Sequence, residues 1–169
     1  ACSTISHTIM GTDCIIHRGV HIGQDGFGFA PSKSGVIKVP QIGQVIIGDG
    51  VDIGSGSCID RGAGPNTIIG DYTKIDNLVQ IGHNVQIGAY CFLAGHVGIA
   101  GSAIIGNGVM IGGQSGVAGH ITIGDGAKLA GHSGFMTDVP PGETWVGAPG
   151  MPQKEFWKQV VKLKKLVKS

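Results

Sequence analysis

The chain has 169 residues, of which 32 are glycine, 5% are aromatic and 14% are charged. A hydrophobic content of 41% excludes a disordered chain, the lack of a Gly-X-Y triplet excludes collagen, and no apolar run reaches the roughly 18 residues a membrane-spanning helix needs. The formal net charge is only +1, so no nucleic-acid partner is expected, but six of the twelve basic residues are lysines between Lys154 and Lys168.

The sequence opens on Ala1 rather than Met, as a fragment or a processed product does. Met10, Ile16 and Ile22 then recur at a spacing of six. A second register of the same spacing is Ile47, Ile53 and Ile59. Between the two lies QDGFGFAPSKSGVIKVPQ, residues 24–41, too long for a turn and expected to protrude as a loop or hairpin. A shorter break, RGAGPN, covers residues 61–66. From Ile69 to Phe135 every sixth residue is apolar, without interruption. Four positions after each anchor comes a second, usually smaller residue, in the series Val79, Val85, Cys91, Val97 and onward.

A period of six fits neither an α-helix nor a strand that alternates faces. It fits a parallel β-helix of short strands and tight turns, an all-β fold with both residues of each hexad pointing inward. Three hexads make one coil of 18 residues, and coils stack about 4.8 Å apart. Residues 1–139 are assigned to this domain. Residues 140–169 begin with the turn-rich PPGETWVGAPGMP and end in QKEFWKQVVKLKKLVK, read as one amphipathic helix. Its apolar positions Phe156, Val160, Leu163 and Val167 are expected to pack on the β-helix or on a neighbouring subunit. Cys2, Cys14, Cys58 and Cys91 form no CxxC pair and read as the reduced thiols of a cytoplasmic protein, with Cys91 an inward-facing one.

The same arithmetic places the histidines. In IDNLVQIGHNVQIG, His83 shares a column with Gly101 and Gly119, and Asn84 shares the next with Ser102 and His120. His96, Gln114 and His132 stack at a different corner, near a column that holds Asp76. A histidine can accept a proton near neutral pH, and a glycine one coil above it leaves a backbone N–H uncovered by a side chain. That pairing suits acyl transfer. A solvated polar turn is the competing reading. Zinc is not expected, because His120 is followed five residues later by Asp125 rather than by a second histidine. No cofactor is expected either.

GQDGFGFAP, KVPQIG, IDRGAG, KIDNLVQIGHNVQIG, GIAGS, IGGQSGVAGH and GAPGMP together resemble the UDP-3-O-(3-hydroxyacyl)glucosamine N-acyltransferases of lipid A biosynthesis. The resemblance implies a homotrimer of left-handed parallel β-helices with active sites in clefts between subunits. It implies transfer of a 3-hydroxyacyl chain from acyl carrier protein to the 2-amine of a UDP-linked, 3-O-acylated glucosamine. It makes His83 the general base, Asp76 its carboxylate, Gly101 an oxyanion donor through its amide, and His120 a supporting residue. Members of this family carry an N-terminal uridine-binding domain, which these 169 residues are not expected to include. Two other readings stay open: an acyl-CoA-dependent transferase on another amino sugar, and a trimeric scaffold without catalysis.

Overall fold

The computed structural model describes residues 2–166. Short parallel strands wind into a left-handed β-helix of three faces. The first face runs from Thr4–Ile5 through Cys58–Arg61, Gln80–Ile81 and Gly98–Ile99 to Gly134–Phe135. The second stacks Thr8–Met10, Val45–Ile47, Thr67–Ile69, Gln86–Ile87, Ile104–Ile105 and Thr122–Ile123. The third runs from Ile15–Ile16 through Lys74–Ile75 and Phe92–Leu93 to Lys128–Leu129, and ends in Thr144–Val146 and the antiparallel Met151–Pro152.

The hexad explains this winding. Each anchor from Ile69 to Phe135 points inward and is no more than 3% exposed. The second residue of each hexad closes the interior at the turn; Val79, Val85, Cys91, Val97 and Ala103 are all buried. Ser115 and Ser133 occupy the same inward series, and their hydroxyls donate to the carbonyls of Ala130 and Gly131. In the regular run the register is 18 residues, with Ile81 beside Ile99 and Ile99 beside Val117. The RGAGPN break lengthens one coil to 22 residues, since Ile59 pairs with Ile81 and Ile47 with Ile69.

The longer insertion forms an antiparallel hairpin of Phe29–Ser32 and Gly35–Lys38. Its departure comes later than residue 24, because Gln24 and Asp25 still pair with Asp60 and Arg61. At the other end, the helix Gln153–Leu166 packs on Thr144–Val146 and Met151–Pro152, with Phe156 lying over Gly147. Phe156 and Val160 are half-buried. Leu163, expected to be covered, is 60% exposed in the single chain, and Val167 lies outside the described residues. Among the described residues no helix is long and apolar enough to cross a membrane. Cys2, Cys14, Cys58 and Cys91 are all unpaired, and Cys91 is fully buried.

Candidate active site

His83 sits on the corner where the chain leaves the first face for the second. Its strand, Gln80–Ile81, is held by Ile81 in the core; two residues later the turn must swing outward. Asn84 takes the left-handed conformation at that turn, with φ of 62°, as do Ser102 and His120 in the same column. The columns are as the repeat dictates. Ser102 N–H donates to the His83 carbonyl at 2.9 Å, and His120 N–H donates to the Gly101 carbonyl at 3.3 Å.

The imidazole is half-buried and confined from two sides. Below, the root of the hairpin folds back over it, and Gly26 passes so close that a Cβ there would lie 2.6 Å from the His83 Cβ. Above, a Cβ on Gly101 would lie 2.7 Å from both Cε1 and Nε2 of the ring. Only glycine leaves room for the imidazole at that position. The Gly101 N–H makes no hydrogen bond among the described residues.

The side-chain network fixes which ring nitrogen carries hydrogen. Asn84 Nδ2 donates to the Pro65 carbonyl at 2.6 Å, so its Oδ1 is the end turned toward His83. That oxygen accepts from Ala63 N–H at 3.2 Å and lies 2.8 Å from His83 Nδ1. A carbonyl oxygen can only accept, so Nδ1 holds a proton, and in the neutral ring it is Nε2 that keeps the lone pair. The nitrogen facing Gly101 is therefore the basic one. Both supports of Asn84 come from the RGAGPN insertion.

A cleft of about 590 Å³ opens in front of the ring. The hairpin contributes Phe27, Phe29 and Lys38, and the first face contributes Asp60, Gln80, Ile99 and Ala100. Phe27 and Phe29 meet edge to face with centroids 5.1 Å apart. Lys38 Nζ lies 2.6 Å from Asp25, and this bond holds the Asp25 carboxyl below the usual carboxylate range. Arg61 Nε donates to the Gly43 carbonyl, while its guanidinium approaches Asp25 at 4.0 Å. Burial acts the other way on Asp60 and pushes its carboxyl up, against the hydrogen bonds from Gln24 and Gln80 and the pull that a protonated His83 would exert.

The structure brings His83, Gly101 and His120 to one edge. It does not bring Asp76 to them within one chain. Asp76 is exposed at the corner between the third and first faces and accepts from Asn77 N–H and Nδ2 at 2.8 and 3.0 Å. It lines a separate cleft of about 760 Å³ over the third face, with Lys74, Phe92, Met110 and Lys128. His120 is exposed and its ring makes no hydrogen bond among the described residues. Among the described residues no three His, Cys, Asp or Glu side chains converge on a common point. Sequence reasoning set Asn84 in the column beside His83 without giving it a role, and passed over Asp60 and Gly26. Only the HN step hinted at Asn84.

Residues 66–101 and 102–135 match the family of bacterial transferase hexapeptide (six repeats) proteins. Over 166 residues, 98% of this chain, the sequence is 52% identical to UDP-3-O-acylglucosamine N-acyltransferase of Azorhizobium caulinodans and covers 46% of that protein. The namesake of Methylobacterium nodulans is 51% identical over 97% of this chain and 47% of its own length. Among solved structures, the UDP-N-acetylglucosamine O-acyltransferase of Moraxella catarrhalis superposes with a TM-score of 0.78 at 28% identity, over 90% of this chain and 60% of that one. The chain spans about half the length of the curated relatives it matches. It is a hexapeptide-repeat β-helix, similar along nearly all its length to the UDP-3-O-acylglucosamine N-acyltransferases.

Proposed function

We propose that this chain is the catalytic β-helix of an N-acyltransferase that moves a 3-hydroxyacyl group from acyl carrier protein to the 2-amine of a UDP-3-O-acylglucosamine, in lipid A biosynthesis in the cytoplasm. The observation that carries the reading is the imidazole of His83, with its basic Nε2 turned to the bare Gly101 amide in an open cleft.

The reaction follows from those groups. The amine nitrogen attacks the thioester carbonyl carbon, and the carbonyl electrons move onto oxygen. Bond formation acidifies the amine's protons, and His83 Nε2 takes one. The Gly101 N–H, which has no acceptor among the described residues, donates to the oxyanion. The oxyanion then collapses, the C–S bond breaks, and the thiolate recovers the proton from the imidazolium. An amide and a free thiol remain. His120 supports the reacting centre from two coils above Asn84.

Asp76 completes the site from a neighbouring copy. In one chain it faces away from His83, over a cleft where Phe92 and Met110 are 53% and 47% exposed. A symmetric trimer sets the His83 edge of one subunit against this face of the next and covers those apolar side chains. The lysines of the C-terminal helix attract the acidic acyl carrier protein; Lys158, Lys162, Lys164 and Lys165 are all exposed.

The test compares acyl donors. With one UDP-3-O-acylglucosamine acceptor, the protein that carries this chain forms amide from 3-hydroxyacyl-ACP and not from acetyl-CoA. Transfer from acetyl-CoA alone points to an acetyltransferase. No transfer from either donor, with a monomer mass by light scattering, overturns the reading.

A further inference from the structure

Asp60 lies in the wall of the His83 cleft, and nothing above gives it work. It ends the strand Cys58–Arg61, whose register places Cys58 beside Gln80 and Ile59 beside Ile81. On its other side the strand pairs Asp60 with Gln24 and Arg61 with Asp25. Gln24 Nε2 donates to Asp60 Oδ1 at 3.1 Å, and Gln80 Nε2 donates to Oδ2 at 3.1 Å. One amide thus holds each oxygen from opposite neighbouring coils.

The charges around it are sorted in a particular way. Arg61, next in sequence, turns to Gly43 and Asp25, and Lys38 also pairs with Asp25. Neither forms an ion pair with Asp60 among the described residues. His83 lines the same cleft as Asp60, and a protonated ring there favours the Asp60 carboxylate. Asp25, Lys38 and Arg61 are the other charged groups at this end of the cleft, and together they leave one net positive charge, which opposes a second cation nearby. An imidazolium on His83 therefore needs a carboxylate on its own side; of the two that line this cleft, Asp25 is paired with Lys38 and Asp60 is the other.

A purely structural role fits these facts less well. A neutral amide at this position could also bridge Gln24 and Gln80 from the coil between them, with no charge. Burial works against the ionised form of this carboxyl, so holding a charge here costs stability.

We propose that Asp60 is a positioning residue: its carboxylate, clamped between Gln24 and Gln80, stabilises the imidazolium that His83 becomes when it takes the proton of the amine. The proposal deepens the reading of His83 as the base and rests on it. Asp60 touches neither substrate nor the reacting atoms. It acts on the protonated state of His83 from the same chain, whereas Asp76 acts from the neighbouring one.

Two measurements test this, and the first needs no activity. In the whole protein labelled with carbon-13 at aspartate, the Asp60 carboxyl resonance is followed against pH. It steps as His83 gains its proton, and the step vanishes in His83→Gln. A resonance that moves identically in both proteins overturns the proposal. In the second, Asp60→Asn has kcat about 10-fold lower with KM within twofold, the effect of losing about one pKa unit of charge stabilisation. The acid limb of its kcat–pH profile moves to lower pH, and Asp60→Glu restores part of the rate. A wild-type profile in a folded Asp60→Asn overturns the proposal as well. If the wild type transfers no acyl group, the general-base reading falls, while the resonance still decides whether the two charges are coupled.

Discussion

Gly101→Ala isolates the geometry of the site from its chemistry. The new methyl carbon would lie 2.7 Å from Cε1 and Nε2 of His83 and 3.1 Å from Cδ2, where ordinary contact begins at 3.4 Å. The imidazole must therefore retreat by at least about 0.7 Å, the difference between 3.4 and 2.7 Å. The backbone raises no objection, since Gly101 is not among the glycines with positive φ. The three nearest atoms to the new carbon all belong to the His83 ring, which can turn. An off-rotamer histidine costs about 1 kcal/mol, so the thermal midpoint moves by only about 2–4 °C. Turning the ring stretches its 2.8 Å bond to Asn84 and carries Nε2 away from the reacting centre. A misplacement of about 1 Å at a reacting centre costs roughly 10²-fold. The assay is kcat for acyl transfer, measured after trimer mass and thermal midpoint are confirmed. Gly64→Ala serves as control, because nothing lies within 4 Å of its added carbon. A Gly101→Ala protein with kcat within threefold of wild type would refute the argument that the ring and the bare amide must share this space.

Three further outcomes are expected. His120→Ala lowers kcat by less than His83→Ala does, because His120 stands exposed two coils above Asn84; an equal loss in the two variants would contradict this. Replacing Lys162, Lys164 and Lys165 with Glu raises KM for the acyl-ACP donor and flattens its salt dependence, and an unchanged KM would remove these lysines from donor binding. Ala89→Asn stabilises the fold. At this corner Asp49, Ala89 and Asn107 each donate a backbone N–H to the carboxyl or amide oxygen one coil on, in Asp71, Asn107 and Asp125. Asp71 N–H lacks that partner because Ala89 has no side-chain oxygen, and supplying one is worth about 0.5–1 kcal/mol, read as a midpoint raised by about 2 °C; a lowered midpoint would show that the turn rejects the side chain.

The fold was legible because its interior repeats. Each coil needs one large aliphatic residue per face and a smaller one per turn, so Ile69, Ile75 and Ile81 announce their own burial. The same period located Gly101 one coil above His83, and the structure keeps that column. What the period could not reveal depends on its breaks. Asn84 reads as a turn residue until the RGAGPN insertion folds back to fix its amide. Asp60 lies beyond a coil of 22 residues, so a step of 18 misplaces it. Gly26 meets His83 only because the hairpin root turns inward, which no spacing encodes. Gln24 and Asp25 look like the start of that insertion, yet they continue the ladder beside Asp60 and Arg61. Leu163 continues the apolar stripe of the helix, yet in the single chain it stays exposed.

The account turns on His83 as the base, and one variant tests that directly. His83→Ala removes Nε2 from an edge where the ring is only half-buried, so the trimer should still form with a thermal midpoint close to wild type. General-base catalysis is worth about 10² to 10⁴ in rate. The decisive quantity is kcat for amide formation from 3-hydroxyacyl-ACP, measured in the protein with full recognition of the nucleotide. The account predicts a loss of at least about 10²-fold at unchanged trimer mass. A folded His83→Ala trimer that keeps more than about a tenth of wild-type kcat, a loss too small for a missing general base, would contradict it.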